Sequence, residues 1–160
     1  MKKLFVFMGI IMLTATMSVK TMPHCEVPCG IYTDQLRIEM IREHITTIEK
    51  AMVQIEELSS AEDINYNQLV RWITTKDHHA NLIQEIAEQY FMTQRVKPVS
   101  AENVEAYKKY IRQLTLLHEM LIYSMKCKQT TDVANTAKLS ELVDNFAEAY
   151  FDPEDHGHEH

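Results

Sequence analysis

The sequence predicts an all-α chain, an antiparallel four-helix bundle preceded by an irregular N-terminal segment. Three observations carry this prediction. Gly30 is the only glycine between the first ten residues and Gly157, and no proline falls between Pro28 and Pro98. The two strongest helix breakers are therefore missing from a long stretch. Apolar residues recur at helical spacing in four separate stretches, while no stretch alternates at period two and no internal repeat or second domain is visible.

The first helix is expected over residues 33–58. Ile41, Ile45, Ile48, Met52 and Ile55 follow one another in steps of 4, 3, 4 and 3, which draws one apolar stripe. Ser59-Ser60-Ala61-Glu62-Asp63 reads as a connection. The second helix is expected over residues 66–91, with Leu69, Ile73, Ala80, Ile83, Ala87 and Tyr90 on its stripe. Lys76 interrupts that stripe, which is tolerable if its stem packs and its amine reaches water. Met92 to Lys97 reads as an insertion, and Pro98 forces a break. Ser100 is the expected cap of a third helix over residues 101–128, along Val104, Tyr107, Ile111, Leu114, Leu121 and Met125. The fourth is expected over residues 132–150, along Leu139, Leu142, Val143, Phe146 and Tyr150, and Pro153 ends it. Four amphipathic helices with short links form an antiparallel bundle most easily.

The ends have a different character. Residues 1–23 hold Lys2, Lys3 and Lys20, no acid, and a nearly unbroken apolar run from Leu4 to Leu13. A basic start followed by about ten apolar residues reads as a secretory signal. It is too short for a membrane span, which needs about 20 apolar residues. There is no twin-arginine pair, so export of an unfolded chain is expected, to the periplasm or beyond the cell. Removing the three leader lysines takes the formal charge from −7 to −10. Such a chain should repel nucleic acid, and no membrane contact is expected once the leader is gone. Residues 153–160 form a polar tail in which His156, His158 and His160 alternate and could chelate a divalent ion.

Residues 24–32 carry the chemistry. His24-Cys25-Glu26-Val27-Pro28-Cys29-Gly30-Ile31-Tyr32 places an imidazole, two thiols, a rigid proline and a permissive glycine in nine residues. If the chain is cut before His24, a free amine joins them. The amine, the Cys25 amide nitrogen and two thiolates then offer a square-planar set of two nitrogens and two sulfurs. That set suits Ni(II) or Cu(II) better than zinc, which prefers a tetrahedron. Pro28 stiffens the return of the chain to Cys29, and Gly30 permits a backbone angle that other residues resist. Pro23 is a poor residue before a signal-peptidase cut, whereas Ala15, Thr16 and Ser18 offer better local choices. Signal removal followed by trimming to His24 by a processing protease is the expected route.

The nine residues resemble the metal hook of the nickel-dependent superoxide dismutases, His-Cys-x-x-Pro-Cys-Gly-x-Tyr, with every fixed position in order. Arg37-Ile38-Glu39 resembles the family's start of its first helix, one residue closer to the hook, and Tyr90-Phe91 resembles a pair on its second helix. The resemblance implies a right-handed four-helix bundle assembled as a homohexamer. It also implies disproportionation of superoxide to dioxygen and hydrogen peroxide through a Ni(III)/Ni(II) cycle, with one nickel ion per chain. Carried over residue by residue, His24, Cys25 and Cys29 are the metal ligands, and the His24 imidazole binds axially. Tyr32 is the catalytic gatekeeper over the open face. Glu39 supports the imidazole through its second nitrogen. The family's basic residue near that imidazole has no unique counterpart, since Arg71, Thr75 and Lys76 all stand in the neighbourhood. The chemistry is coherent, because thiolates and a deprotonated amide donate the charge that makes Ni(III) accessible. An acidic chain repels superoxide, so local lysines must steer it.

Plainer readings stand beside this one. Cys25 and Cys29 could close a small disulfide loop in an exported chain, and an alternative function is a non-catalytic helical bundle that binds or buffers nickel or copper. Cys127, the odd third cysteine, is expected to be a partly buried thiol near a helix end. His78 and His79 point about 100° apart on a helix and read as a solvated face. His44 and His118 read as ordinary histidines. A di-iron bundle would need Glu-x-x-His motifs on two helices, and the sequence contains none.

Overall fold

A computed structural model describes residues 33–151. The leader, residues 24–32 and the histidine tail lie outside the described residues. Within them the chain forms four helices and no strand: α1 (Asp34–Ser59), α2 (Tyr66–Glu85), α3 (Val104–Gln129) and α4 (Ala134–Tyr150). Helix α2 runs on into a π-helical segment, Ile86–Arg95.

Each helix packs on its two neighbours in the cyclic order α1, α2, α3, α4. Neighbours run antiparallel, as cross-helix partners show. Arg42 of α1 pairs with Asp144 of α4 at 2.8 Å. Gln84 of α2 donates to the Leu121 carbonyl of α3 at 3.0 Å. The four-helix bundle is therefore the predicted one. The start of α1, the end of the π segment and the end of α4 meet at one end of the bundle, here the hook end.

The core of α1 is the predicted one, since Ile41, Ile45, Ile48, Met52 and Ile55 are all buried, joined by Ile38 and Ala51. Thr33 caps α1, its hydroxyl accepting from Leu36 N at 3.3 Å. Helix α4 buries Leu139, Leu142, Val143 and Phe146 as expected. At the hook end the core turns aromatic: Phe91 lies 4.9 Å from Phe146 and 5.5 Å from Tyr150, centroid to centroid. Edge-to-face pairs of this kind add about 0.5–1.5 kcal/mol each beyond their burial.

Three expectations are corrected. The second helix does not stop at residue 91 but continues through Arg95 with wider turns. Val96 N donates to Phe91 O at 2.8 Å, a five-residue step. The cap of α3 is Asn103, accepting from Ala106 N at 3.3 Å, whereas Ser100 serves the turn before it. The third correction is the largest. The face of α3 turned to the core carries Gln113, Leu117, Met120, Ser124 and Cys127. The predicted stripe lies to the side: Val104, Tyr107, Ile111 and Met125 are 56, 37, 42 and 39% exposed, and Leu114 and Leu121 are half-buried. Helix α2 shows the same drift near its start, where Ile73 is 40% exposed.

Candidate metal centre

Of the site residues predicted from the sequence, Glu39 is described; His24, Cys25, Cys29 and Tyr32 lie outside the described residues. Glu39 sits near the start of α1 with its carboxylate exposed, accepting from Gln35 Nε2 at 3.2 Å. It is thus in chain proximity to the hook and open on its outer side.

The hook end is built around Asp34, the first residue of α1, two residues after Tyr32. Its Oδ1 accepts from the Tyr90 hydroxyl and lies 3.0 Å from Arg95 Nε. Its Oδ2 accepts from the Tyr150 hydroxyl at 2.7 Å. Arg95 Nε approaches as an ion-pair partner without an aligned N–H bond; the aligned bond runs from Arg95 Nη2 to the Tyr90 hydroxyl at 3.0 Å. The guanidinium carbons of Arg37 and Arg95 each lie 4.9 Å from the Tyr90 ring centroid, within cation–π range. Burial raises the Tyr90 hydroxyl above its ordinary pKa, and the bond to Asp34 adds to that. Tyr150 moves the same way for the same reasons. Both phenols are therefore neutral donors at physiological pH. For Arg95, burial works against the charge, but the Tyr90 hydroxyl and Asp34 outweigh it and raise its pKa.

Sequence reasoning missed Asp34, Arg95 and Tyr150 as site residues. Asp34 reads as an ordinary first-turn acid. Tyr90 and Arg95, five apart, would lie about 140° apart on an α-helix. Only the π turn stacks them. Of the basic candidates, Lys76 is engaged with the end of α3. Lys76 precedes Tyr90 by fourteen residues, about 21 Å along a helix. It is not solvated as expected: its side chain is 5% exposed, and Nζ donates to the Cys127 and Lys128 carbonyls, both at 2.7 Å.

Other candidate ligands within the described residues can be placed as well. Cys127 is fully rather than partly buried, and burial pushes its thiol up to about 11. At neutral pH Cys127 is therefore a protonated, buried thiol. His79 is not on a solvated face: its Nδ1 lies 3.1 Å from Nδ1 of His44 across α1 and α2. Among the described residues no group of three or more His, Cys, Asp or Glu side chains is placed to hold a metal ion. Also among them, no helix is long and apolar enough to cross a membrane.

Comparison with known proteins identifies a family. The family model for nickel-containing superoxide dismutase matches residues 19–153. No curated protein and no solved structure matches the chain. The family match runs from before His24 through all four helices, and by it the chain belongs to the nickel-containing superoxide dismutases, oxidoreductases that carry nickel as their cofactor.

Proposed function

We propose that this chain disproportionates superoxide at a nickel centre held by residues 24–32. The organisation is a removed leader (1–23), the hook (24–32), the bundle (33–152) and a histidine-rich tail (153–160). The observation that carries the reading is the family match over residues 19–153, together with a donor set of the required chemistry in His24, Cys25 and Cys29. The His24 amine, the Cys25 amide nitrogen and the two thiolates hold one nickel per chain. The His24 imidazole would complete the donor set. When bound, nickel would supply the one-electron change between its divalent and trivalent states that disproportionation of superoxide to dioxygen and hydrogen peroxide requires.

The residues supply the rest. The Tyr32 phenol donates a hydrogen bond to the incoming anion and to the departing peroxide. The Glu39 carboxylate accepts from the second nitrogen of the imidazole and keeps it oriented. The chain acts after export and after a processing protease exposes His24. It assembles as a homohexamer, in which a neighbouring subunit braces each hook. The exposed apolar stripe of α3 supports self-association, since an apolar helix face left uncovered by its own bundle calls for a partner.

The test is protein purified from its native host. Terminal sequencing should read His24 first, with about one nickel per chain as a single site of two nitrogens and two sulfurs requires. Cys25→Ser and Cys29→Ser should each lose both metal and activity, because oxygen donors hold square-planar nickel poorly. Tyr32→Phe should keep the metal and change turnover. A fully active form that begins at Ser18, or zinc in place of nickel, would refute the assignment.

A further inference from the structure

The geometry points to Asp34 as a positioning residue that fixes the root of the hook, by tying the first residue of α1 to the π segment and to the end of α4. The inference rests on the metal centre proposed above, because the hook is what Asp34 positions. A first-turn aspartate needs nothing more than water and the helix N-terminus to be stabilising. Asp34 has much more. Its side chain is 21% exposed, and it meets Tyr90, Arg95 and Tyr150 from two other elements.

The local backbone is arranged for this contact. The Tyr90–Arg95 bond spans five residues, a spacing that only a π turn brings onto one face. An α-helical Ile86–Arg95 would turn Arg95 away from both Tyr90 and Asp34. π-helical turns are uncommon and gather at functional sites, and this one lies where the chain needs a cation beside Asp34. The partners are themselves held. Tyr90 packs edge-to-face on Phe91 at 5.1 Å, and Tyr150 stacks with Phe146 at 5.4 Å. Gln113 of α3 donates to the Ala149 carbonyl at 2.9 Å, bracing the end of α4 beside Tyr150.

What the arrangement controls is direction. Thr33, between Asp34 and Tyr32, is extended at φ −71° and ψ 151° and caps α1. With Asp34 pinned on both carboxylate oxygens, rotation of the first turn is resisted, and so is rotation of the chain leading into it. A nine-residue segment with no core of its own keeps a reactive geometry only if its root is held to within about 0.5 Å.

The experiment uses mature, nickel-loaded protein carrying Asp34→Asn, with Tyr150→Phe as a milder variant in case the first folds poorly. Asp144→Asn is the control, since it breaks only the Arg42–Asp144 pair. Four quantities are read: nickel content, kcat and KM, the electron paramagnetic resonance line shape of oxidised protein, and hydrogen exchange at the Leu36 and Arg37 amides. Those amides bond to Thr33. Asp34→Asn should keep its nickel, exchange those two amides about tenfold faster, lose about tenfold in kcat, and show a heterogeneous line shape. Tyr150→Phe should move the same readouts less, and Asp144→Asn should leave them at wild-type values. Faster exchange with unchanged kcat and line shape would make Asp34 a stability residue only and overturn the inference, as would no change at all. A wild-type protein without nickel would sink the metal-centre reading instead, while the exchange data would still decide whether Asp34 holds the root.

Discussion

Lys76 places a buried charge at the end of another helix. Its ammonium donates to two of the last four carbonyls of α3, at Cys127 and Lys128, and to Asp77 at 3.0 Å. Those carbonyls have no partner inside their own helix, and a cation there also complements the helix dipole. Lys76→Met keeps the stem and removes the donors, so it should lower stability by about 2 kcal/mol, as loss of charge-assisted bonds does. Urea unfolding measures this; wild-type stability would mean that water satisfies the carbonyls. The His44–His79 pair gives a second prediction at this scale. Burial lowers both pKa values below 6.5, and neighbouring imidazoles lower them further, with Glu43 opposing. The folded state thus binds fewer protons than the unfolded one in the window below 6.5. The pair's contribution to stability is complete above that pH and lost as the pH falls through the lowered folded values. Thermal unfolding from about pH 7 to about pH 5 should fall less steeply for His44→Gln than for the wild type. Parallel curves would contradict this.

At the scale of elements, α3 shows how far periodicity reaches. It carries two stripes of similar spacing. The one richer in apolar residues, through Val104, Tyr107 and Ile111, is largely exposed. The one containing Gln113 and Ser124 faces the core. A sequence pattern tells that a helix is amphipathic, but competing stripes are decided by the neighbouring helices. The outer stripe steps by three, four, three, seven and four from residue 104 to residue 125 and would suit a further helix packed against it. Ile111→Glu, at a position 42% exposed, should leave helicity unchanged and shift the protein to a smaller assembly in light scattering. An unchanged assembly would remove that stripe from the interface. The π segment was illegible for a different reason: a period of 3.6 residues is what the reading assumes, and one widened turn breaks the register without changing the composition.

At the scale of the molecule, the described helices share one core. The described core runs from Ile38 to Ala149 and draws on all four helices. Nickel removal, or Cys25→Ser, should therefore abolish activity yet leave the far-ultraviolet circular dichroism of the bundle in place, unlike a small metal-dependent fold. Loss of helicity on chelation would show that the metal stabilises the bundle itself. The sequence alone determined the helix count and most of the α1 and α4 cores, because those depend on residues close together in the chain. Tertiary structure decided which face of α3 is buried, where the Lys76 charge goes and what meets Asp34. Each of those joins residues dozens of positions apart, and only the packing of four helices brings them within hydrogen-bonding reach.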